Sequence, residues 1–326
     1  MNLNSVNEKI KKFDFCGKLK ICAIISIAII LVGVLVVSIF GFNLGIDFTG
    51  GTVLNVKVGA KLEENKENYA TLSEEITTIF KNEGFEIGYL QQEGVGEEAQ
   101  IAIRFKDKAN LTESQMQEQI EVLKEKLETG LTLNGNHVEV TVSNGSRIAA
   151  SASLTLLINS LLAVLVAVIL ILVYIAIRFE LLSGLTAILM LVHDVFIMCS
   201  LVAIFRIQIS ASFIAALITI IGYSINNVII VFDRIRENKK KEDYKGLSNA
   251  ELVNASIKQV LTRTFLASLT TLVAILALTI IGVASIREFL LPIIFGLISG
   301  IYSSTMLAGP IWALINDKTV RKTKKG

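Results

Sequence analysis

Residues 210–238 read SASFIAALITIIGYSINNVIIVFDRIREN, an apolar run that is long enough to cross a bilayer and then changes abruptly to charged residues. Ser224, Asn226 and Asn227 lie in its inner half. Side-chain amides are costly in hydrocarbon unless they find a partner. They therefore indicate a polar interior, which serves either helix packing or transport, and this stretch by itself leaves both roles open.

Five further apolar runs of similar length occur in the 326 residues, whose mean hydropathy of +0.62 is far above that of a soluble globular protein. The predicted spans are 21–42, 153–177, 183–205, 210–232, 263–282 and 289–315. The first is too long for the apolar region of a signal peptide, and no A-x-A-like cleavage site follows it. We therefore interpret it as an uncleaved signal-anchor helix.

Lysine and arginine are concentrated in three segments, which are the N-terminus (1–20), a predicted basic loop (233–262) and the C-terminal tail (316–326). With six spans, all three lie on one face, and the positive-inside rule predicts that this face is cytoplasmic. Residues 43–148 would then be exported. They hold 10 Lys and Arg against 18 Asp and Glu, a net charge of −8, whereas the remainder of the +2 chain carries +10. Such an acidic surface argues against nucleic acid as a partner.

The exported segment shows a pattern of four strands and two helices. The predicted strands are 50–58, 85–92, 99–106 and 137–142, and the predicted helices are 67–83 and 111–128. The order β-α-β-β-α-β is typical of a ferredoxin-like fold. The predicted fold class is therefore a polytopic α-helical membrane protein of six transmembrane helices, with an exported α+β ferredoxin-like (βαββαβ) domain between helices 1 and 2.

The chemistry-bearing residues do not suggest an enzyme. The three cysteines and two histidines lack metal-ligand spacing, and no phosphate loop or Ser/His/Asp set occurs. We therefore expect a protein without catalytic residues and without a bound cofactor or metal. The ferredoxin-like fold hosts many functions and does not decide among them.

Asp194 lies near the middle of the third predicted span, beside His193. A charge at mid-bilayer costs about 2.5–3.5 kcal/mol on insertion scales. We therefore expect Asp194 to be protonated or paired within the bundle. A structural hydrogen-bonding role and a proton-carrier role are both open.

Further polar residues align along the fourth and fifth spans. Tyr223 and Asn227 are four residues apart and share a helix face. Arg263 opens the fifth span and is followed by Thr264, Ser268 and Thr271, which predicts a polar stripe headed by an arginine. Such a stripe serves close packing or lines an ion path. In the sixth span, the small residues are expected to allow close helix approach and the prolines to kink the helix: Gly296, Ser299, Gly300, Ser303, Ser304, Pro292 and Pro310.

Blocks along nearly the whole chain resemble the SecF family, the smaller membrane subunits of the SecD–SecF complex of bacterial protein export. They are GIDFTGG (45–51, with Gly45, Asp47, Gly50 and Gly51), RFE (178–180), HDV (193–195), IGYSINNVIIVFDRIREN (221–238, with Asp233 and Arg234), TRT (262–264) and GIYSSTMLAGP (300–310). The arrangement of spans also resembles half of a resistance–nodulation–division transporter.

The resemblance implies a function and a set of partners. Together with SecD, such a subunit uses an ion gradient instead of ATP to promote late steps of polypeptide export, after SecA and the SecYEG channel have started them. YajC and YidC are further candidate partners, and exported polypeptides are the substrates. The implied location is the bacterial cell (inner or plasma) membrane, with both termini cytoplasmic. One charge crossing 100 mV supplies ~2.3 kcal/mol, which is an adequate driving force.

One position departs from the family pattern, which usually runs Gly-Tyr-Ser-x-Asn-Asp with the aspartate as a candidate proton carrier. Asn227 stands at that aspartate's position, and an amide does not titrate. Four explanations are open: SecD supplies the carboxylate, Asp194 substitutes for it, Na⁺ takes the place of H⁺ with the Asn227 carbonyl as a ligand, or this half is structural.

Two other functions are alternatives to a translocase subunit. The first is a half-transporter that exports a small apolar solute, which would need a second, larger exported domain. The second is a membrane-anchored scaffold, for which polar spans would have no use. A SecD-like six-span partner would favour the translocase.

Overall fold

The computed structural model describes residues 13–64, 66–94, 96–108, 111–133, 135–148, 150–281 and 284–323. The first helix that the structure describes is α1 (Leu19–Phe40), and it is followed by a domain of residues 43–148, here called the loop domain. Its elements are α2 (Ile46–Thr49), β1 (Gly51–Lys57), α3 (Lys61–Glu64), α4 (Lys66–Asn82), β2 (Ile87–Glu93), β3 (Gln100–Phe105), α5 (Glu113–Gly130), β4 (Thr132–Leu133), β5 (Asn136–His137) and β6 (Thr141–Ile148). The remaining helices are α6 (Ala150–Arg178), α7 (Leu181–Ile204), α8 (Ala211–Lys239), α9 (Asn249–Ile281), α10 (Ala284–Tyr302) and α11 (Gly309–Thr323), and a π-helical segment (Ser303–Ala308) joins the last two.

The loop domain has the predicted ferredoxin-like topology. Its main sheet is antiparallel in the order β2-β3-β1-β6, and α4 and α5 supply the apolar side chains that cover it. The apolar residues that predicted the two helices lie in one core, including Leu72, Ile76, Phe80, Leu123 and Leu127, none of which is exposed to solvent. Burial of these side chains stabilises the domain by about 25 cal/mol for each Å² removed from water.

The last strand differs from its prediction. Residues 137–142 were expected to form it, but His137 belongs to the short β4–β5 hairpin and the sheet strand is Thr141–Ile148. Residues 143–147 read SNGSR and lack apolar alternation, so local pattern favoured a turn. Pairing with β1, from Lys57 opposite Thr141 to Gly51 opposite Ile148, holds this polar segment in the sheet.

Among the residues that the structure describes, six helical segments are long and apolar enough to cross a membrane. They are α1, α6, α7, α8, α9 and the sixth span formed by α10, the π segment and α11. In α7 and in α8, half of the residues in the most apolar stretch of the helix are buried inside the protein, and in the sixth span 67% are. In α1, α6 and α9 the buried share of that stretch is only 6–11%. The third, fourth and sixth spans therefore form the centre of the bundle, while α1, α6 and α9 present apolar faces outward.

The basic segment 233–262 is mostly helical and is not the loop that the sequence suggested. Helix α8 continues to Lys239 and α9 begins at Asn249, which leaves only a short connection. Ion pairs three and four residues apart, such as Arg234–Glu237 at 2.6 Å and Lys241–Glu237 at 2.7 Å, support the helix beyond its apolar part. The apolar run marks the membrane-buried part of a helix and does not mark its ends.

The sixth span is interrupted by its π segment, which ends two residues before Pro310. Proline has no amide N–H to donate to the preceding turn, and π turns are a common way to accommodate such a defect. Gly296 and Gly300 bring the span close to α8, since a Cβ on Gly296 would lie 2.5 Å from the Ile220 side chain. The expected close helix approach is therefore present.

Candidate functional site

Asp194 lies in the centre of the bundle and is 0% exposed. Its Oδ1 accepts hydrogen bonds from the Ser299 hydroxyl at 2.6 Å and from His193 Nδ1 at 3.0 Å. Its Oδ2 accepts from the Ser303 hydroxyl at 2.8 Å and from the Ser224 hydroxyl. The donors come from α7, α8 and the sixth span, so the carboxylate joins the three central helices.

His193 extends this network to the first span. With Nδ1 donating to Asp194, the neutral imidazole has Nε2 free to accept from the Ser26 hydroxyl, 2.8 Å away. The imidazole also stacks on the Tyr302 ring, and the Tyr302 hydroxyl donates to the Cys22 carbonyl at 2.6 Å. A continuous chain of polar contacts therefore runs from α1 through His193 to Asp194.

The network forms a polar layer between two apolar clusters. The cluster on the side of the loop domain includes Leu191, Ile220 and Leu297, and the cluster on the opposite side includes Met190 and Val228. Asp194 is ten residues before the end of α7, which corresponds to about 15 Å along the helix. Since the hydrocarbon core is about 30 Å thick, the layer lies near its middle.

This geometry suits a carboxylate that binds a small cation. Four donors satisfy two acceptor oxygens, as a buried ionised carboxylate requires. When Asp194 is protonated, one of the serine hydroxyls can rotate and accept instead. A carboxylate surrounded by hydroxyl oxygens also offers hard ligands of the kind that Na⁺ binds. Within the described part of the chain, no cluster of three or more His, Cys, Asp and Glu side chains could hold a metal ion.

Asn227 belongs to a different group, located between α8 and α9. It is 3% exposed, and its Nδ2 lies 3.5 Å from the Ser268 hydroxyl. The Tyr223 hydroxyl donates to the same oxygen at 3.2 Å. Thr264 is also buried, and its hydroxyl has no hydrogen-bond partner among the described residues. This group faces α9 and is separate from the Asp194 network, although Ser224 on α8 lies between Tyr223 and Asn227 in sequence.

Three other predicted site residues lie apart from both groups. Asn226 is exposed on the outer surface of α8. Arg263 is also exposed, forms no salt bridge with a described carboxylate, and lies off the face that carries Thr264 and Ser268, so it does not head their stripe. Thr271 is half-buried and donates to its own helix at Ala267.

The GIDFTGG motif attaches the loop domain to the connection between α7 and α8. The Gly45 amide donates to the Ile209 carbonyl at 2.8 Å, and Asp47 Oδ2 accepts from the Ala211 amide at 2.7 Å. Asp47 therefore caps the N-terminus of α8, where a negative charge is favourable. Gly50 and Gly51 have φ of 72° and 138°, and a Cβ on Gly51 would lie 2.4 Å from the Phe105 carbonyl oxygen. The Gly-Gly pair thus permits the close approach of β1 to β3.

The DRIREN motif lies at the other end of α8. Arg178, at the end of α6, forms an ion pair with Asp233 in which one guanidinium nitrogen, Nη2, donates to both carboxylate oxygens, at 2.8 and 3.0 Å. Asp233 also accepts from Arg236 at 3.2 Å, and Arg234 pairs with Glu237. This cluster ties the fourth span to the second on the face that carries the basic segments.

Two family models match the chain. The model for the C-terminal part of the SecD/SecF protein export membrane proteins matches residues 129–318, and the model of the SecD/SecF GG motif matches residues 36–61. The chain belongs to the SecD/SecF family of protein-export membrane proteins. Protein translocase subunit SecF of Rickettsia prowazekii (strain Madrid E) is 32% identical over 310 residues, which covers 95% of this chain and 93% of that protein.

Fused relatives place a SecF-like part beside SecD. Protein translocase subunit SecDF of Bacillus subtilis (strain 168) is 33% identical over 319 residues, covering 96% of this chain and 39% of that protein. The crystal structure of SecDF from Thermus thermophilus, a translocon-associated membrane protein, superposes with a TM-score of 0.74 at 31% identity, covering 94% of this chain and 39% of that one. The chain therefore spans about two fifths of the length of the SecDF proteins.

These matches establish a membrane protein that is a translocase subunit of the SecD/SecF family. They confirm the family resemblance and the fold class. The sequence predicts only a packing role for Ser299 and Ser303, which the structure shows as partners of Asp194, and it gives no signal for Ser26, the partner of His193. The four-residue spacing of the two serines, which puts both on one helix face, is the signal that was available.

Proposed function

We propose that this chain is the SecF-type half of a translocase that, together with SecD, uses an ion gradient to promote late steps of polypeptide export through SecYEG after SecA has acted. The half is not an enzyme and needs no cofactor beyond a coupling H⁺ or Na⁺. YajC and YidC remain candidate accessory partners. The proposed location is the bacterial cell membrane, with the loop domain exported and both termini cytoplasmic.

The Asp194 network is the observation that carries this proposal. A carboxylate at mid-bilayer costs free energy, about 2.5–3.5 kcal/mol on insertion scales, so its position calls for a role. The hydroxyl ring around it can serve either the protonated or the ionised form. Asn227 cannot titrate, and its nearest described polar contacts are neutral hydroxyls. We therefore favour Asp194 over Asn227 as the ion carrier of this half.

The names of the relatives favour protein export over the export of a small apolar solute. Relatives that match 94–96% of the chain are called protein translocase subunits. The described basic segment at the end of α8 supports the proposed orientation, since it lies at the end of that helix opposite the loop domain, which contacts its start at Ala211.

The test measures export into inverted membrane vesicles at fixed membrane potential, with pH and Na⁺ varied independently. Asp194→Asn should abolish the stimulation that the complex gives, whereas Thr186→Val should not. Thr186 is a matched control, because it is a buried residue of the same helix whose hydroxyl bonds only to its own turn, at Leu182.

Three outcomes separate the explanations. If export loses its pH dependence in Asp194→Asn but keeps it in Asn227→Ala, the result supports proton coupling through the third span. A Na⁺ dependence that Asn227→Ala weakens, with Asp194→Asn active, would move the site to the α8–α9 group. Full stimulation in both variants would overturn ion coupling by this half and leave it to SecD.

A further inference from the structure

The loop domain also contacts the spans through an ion pair that is largely shielded from solvent. Arg104 on β3 lies 3.1 Å from Glu288 in the first turns of α10, and the side chains are 17% and 10% exposed. The same Arg104 nitrogen donates to Gln208 Oε1 at 2.6 Å. Removing one partner of a shielded pair leaves the other charge uncompensated, so the pair strongly constrains this junction.

The surroundings of the pair are polar and partly open. The guanidinium of Arg104 lies 5.7 Å from the centre of the Tyr89 ring. Burial raises the pKa of Tyr89, and the negative charge of Glu288 raises it further. A cavity of about 490 Å³ adjoins the pair and is lined in part by Tyr89, Gln208 and Arg287. The junction is therefore held by specific polar contacts beside open space, and not by a filled apolar interface.

Both elements that Arg104 touches lead to the Asp194 network. Glu288 precedes Ser299 by eleven residues of the same helix, about 16 Å along its axis. Gln208 lies in the connection between α7, which carries Asp194, and α8, which carries Ser224. One guanidinium thus contacts the start of the sixth span, which further along carries Ser299 and Ser303, and the connection that leads into α8, which carries Ser224.

We propose that Arg104 and Glu288 are positioning residues that couple docking of the loop domain to the protonation of Asp194. This inference rests on the proposed function. Hydrogen bonds of 2.6 and 2.8 Å weaken steeply when the donor moves, so a small shift of α10 withdraws the serine donors. Losing those donors disfavours the ionised carboxylate. By linkage, protonation of Asp194 must weaken docking to the same extent.

Few other titratable groups of the described chain contribute at the site. They are His193 on α7, Cys22 on α1 and Tyr302 on the sixth span, and α8 contributes the neutral Ser224. His193 keeps its contacts with Asp194 and Ser26 when α10 moves, because neither partner is on that helix. The serine donors are therefore the part of the site that the junction controls.

The first arm of the test follows the infrared carboxyl band of Asp194 against pH in the full-length protein with its co-purified partner. Subtracting the spectrum of Asp194→Asn isolates the band. Arg104→Glu and Glu288→Arg should each raise its midpoint by about one pH unit, and the double charge reversal should restore it. The matched control is the exposed pair Lys57–Glu98 of the same domain, whose single reversals should change nothing. Unchanged midpoints in the Arg104 and Glu288 variants would overturn the proposal.

The second arm measures the reciprocal effect by hydrogen exchange and does not require Asp194 to titrate. Asp194→Asn mimics the protonated form and should speed the exchange of β3 and the start of α10 by about fivefold or more. Thr186→Val should leave it unchanged. Equal exchange in Asp194→Asn and wild type would refute the coupling, whereas failure of the proposed function would appear separately, as export that is indifferent to Asp194→Asn.

Discussion

At the residue scale, two properties of a position distinguish the residues of the candidate site and its motifs. One is the number of hydrogen-bond partners of the side chain, and the other is the space available for it. Asp194 has four donors, and Gly51 has a carbonyl oxygen where a Cβ would be. The two motif residues Asp47 and Asp233 both act at the ends of α8, one as a cap and one as an ion-pair partner. None of these roles is visible from residue type alone.

Gly51→Ala should destabilise the loop domain. Its φ of 138° is a region that is essentially open only to glycine, and the new Cβ would lie 2.4 Å from the Phe105 carbonyl oxygen. The strain alone costs of order 1–3 kcal/mol. Hydrogen exchange of β1 and β3 in the full-length protein should rise by about tenfold or more, since 1.4 kcal/mol is about a factor of ten.

Gly135→Ala is the matched control for that substitution. Gly135 has φ of 79° and no atom within 4 Å of the added Cβ, so it bears the backbone penalty without the clash. The expected cost is about 1–2 kcal/mol and should stay local to the β4–β5 turn. Equal effects on β1 and β3 from both variants would contradict the close approach of β1 to β3.

Ser268→Ala should lower stability more than Thr264→Val does. Ser268 accepts from Tyr223 and lies within reach of the Asn227 amide, and both would lose their acceptor. Hydrogen bonds between spans contribute about 0.6 kcal/mol on average and up to about 1.7. The Thr264 hydroxyl has no described partner, so replacing it with a methyl group should be neutral or stabilising.

The measurement is thermal unfolding of the purified full-length protein, followed by the fluorescence of Trp312, the single tryptophan. A marked loss of stability in Thr264→Val would show that its hydroxyl has a partner, such as a bound ion or a second subunit.

At the element scale, the helices extend beyond their apolar runs and make specific contacts there. Residues 13–18 form a turn that packs on the start of α9, where Asn254 Oδ1 accepts from the amides of Phe15 and Cys16. The Gly17 amide and the Asn254 side chain hold the pKa of Asp14 below its usual value. Burial raises the pKa of Cys16 to about 12, from an ordinary value of 9.0.

Cys16 should therefore be a slow nucleophile in the folded protein. Only the thiolate is alkylated at an appreciable rate, and at pH 8 its population is far smaller folded than unfolded. Because the folded pKa is the higher one, docking of this turn is favoured fully below pH 9.0, and the advantage is lost as pH rises from 9.0 toward about 12. The alkylation rate of the Cys16 peptide, followed by mass spectrometry from neutral to alkaline pH, checks this.

Asn254→Ala should speed that alkylation, because it removes the acceptor that holds the turn. Gln259→Ala is the control, since Gln259 is on the same helix but bonds to Asn238 and Tyr244. Similar rates in Asn254→Ala and wild type would mean that Asn254 does not hold Cys16 in place.

At the scale of the whole molecule, the bundle presents polar side chains on its outer surface. The outward faces of α8 and α9 combine apolar side chains with the exposed amide of Asn226 and the neighbouring Tyr223. Polar groups at this depth are costly against lipid and indicate a protein partner. The SecDF relatives carry the additional chain length that such a partner requires.

A cysteine at position 226 should form a crosslink to SecD in native membranes. The expectation follows from the exposure of the Asn226 amide on the outer surface of α8, where a polar side chain is costly against lipid. Leu170→Cys is the comparison, because Leu170 is exposed on a stretch of α6 whose neighbouring residues are all apolar. Equal crosslinking at both positions, or crosslinking at 170 alone, would place the partner on another face.

Much of this organisation follows from local sequence. The six spans follow from apolar runs of about 20 residues, because a bilayer imposes that length. The order of strands and helices follows from side-chain periodicities of 2 and 3.6, which neighbouring residues set among themselves. The burial of Asp194 within the bundle was likewise predictable, since hydrocarbon tolerates a carboxylate only when it has partners.

Only the tertiary structure decided which residues those partners are. Ser224, Ser299 and Ser303 lie 30 to 109 positions from Asp194, and helix periodicity carries no information about which helices adjoin. The same holds for β6, whose polar sequence is held in the sheet by β1, and for Arg104, which meets Glu288 across 184 residues. Periodicity reports the face that a residue occupies. Packing between distant elements determines what lies opposite that face, and the Asp194 network and its connection to the loop domain arise there.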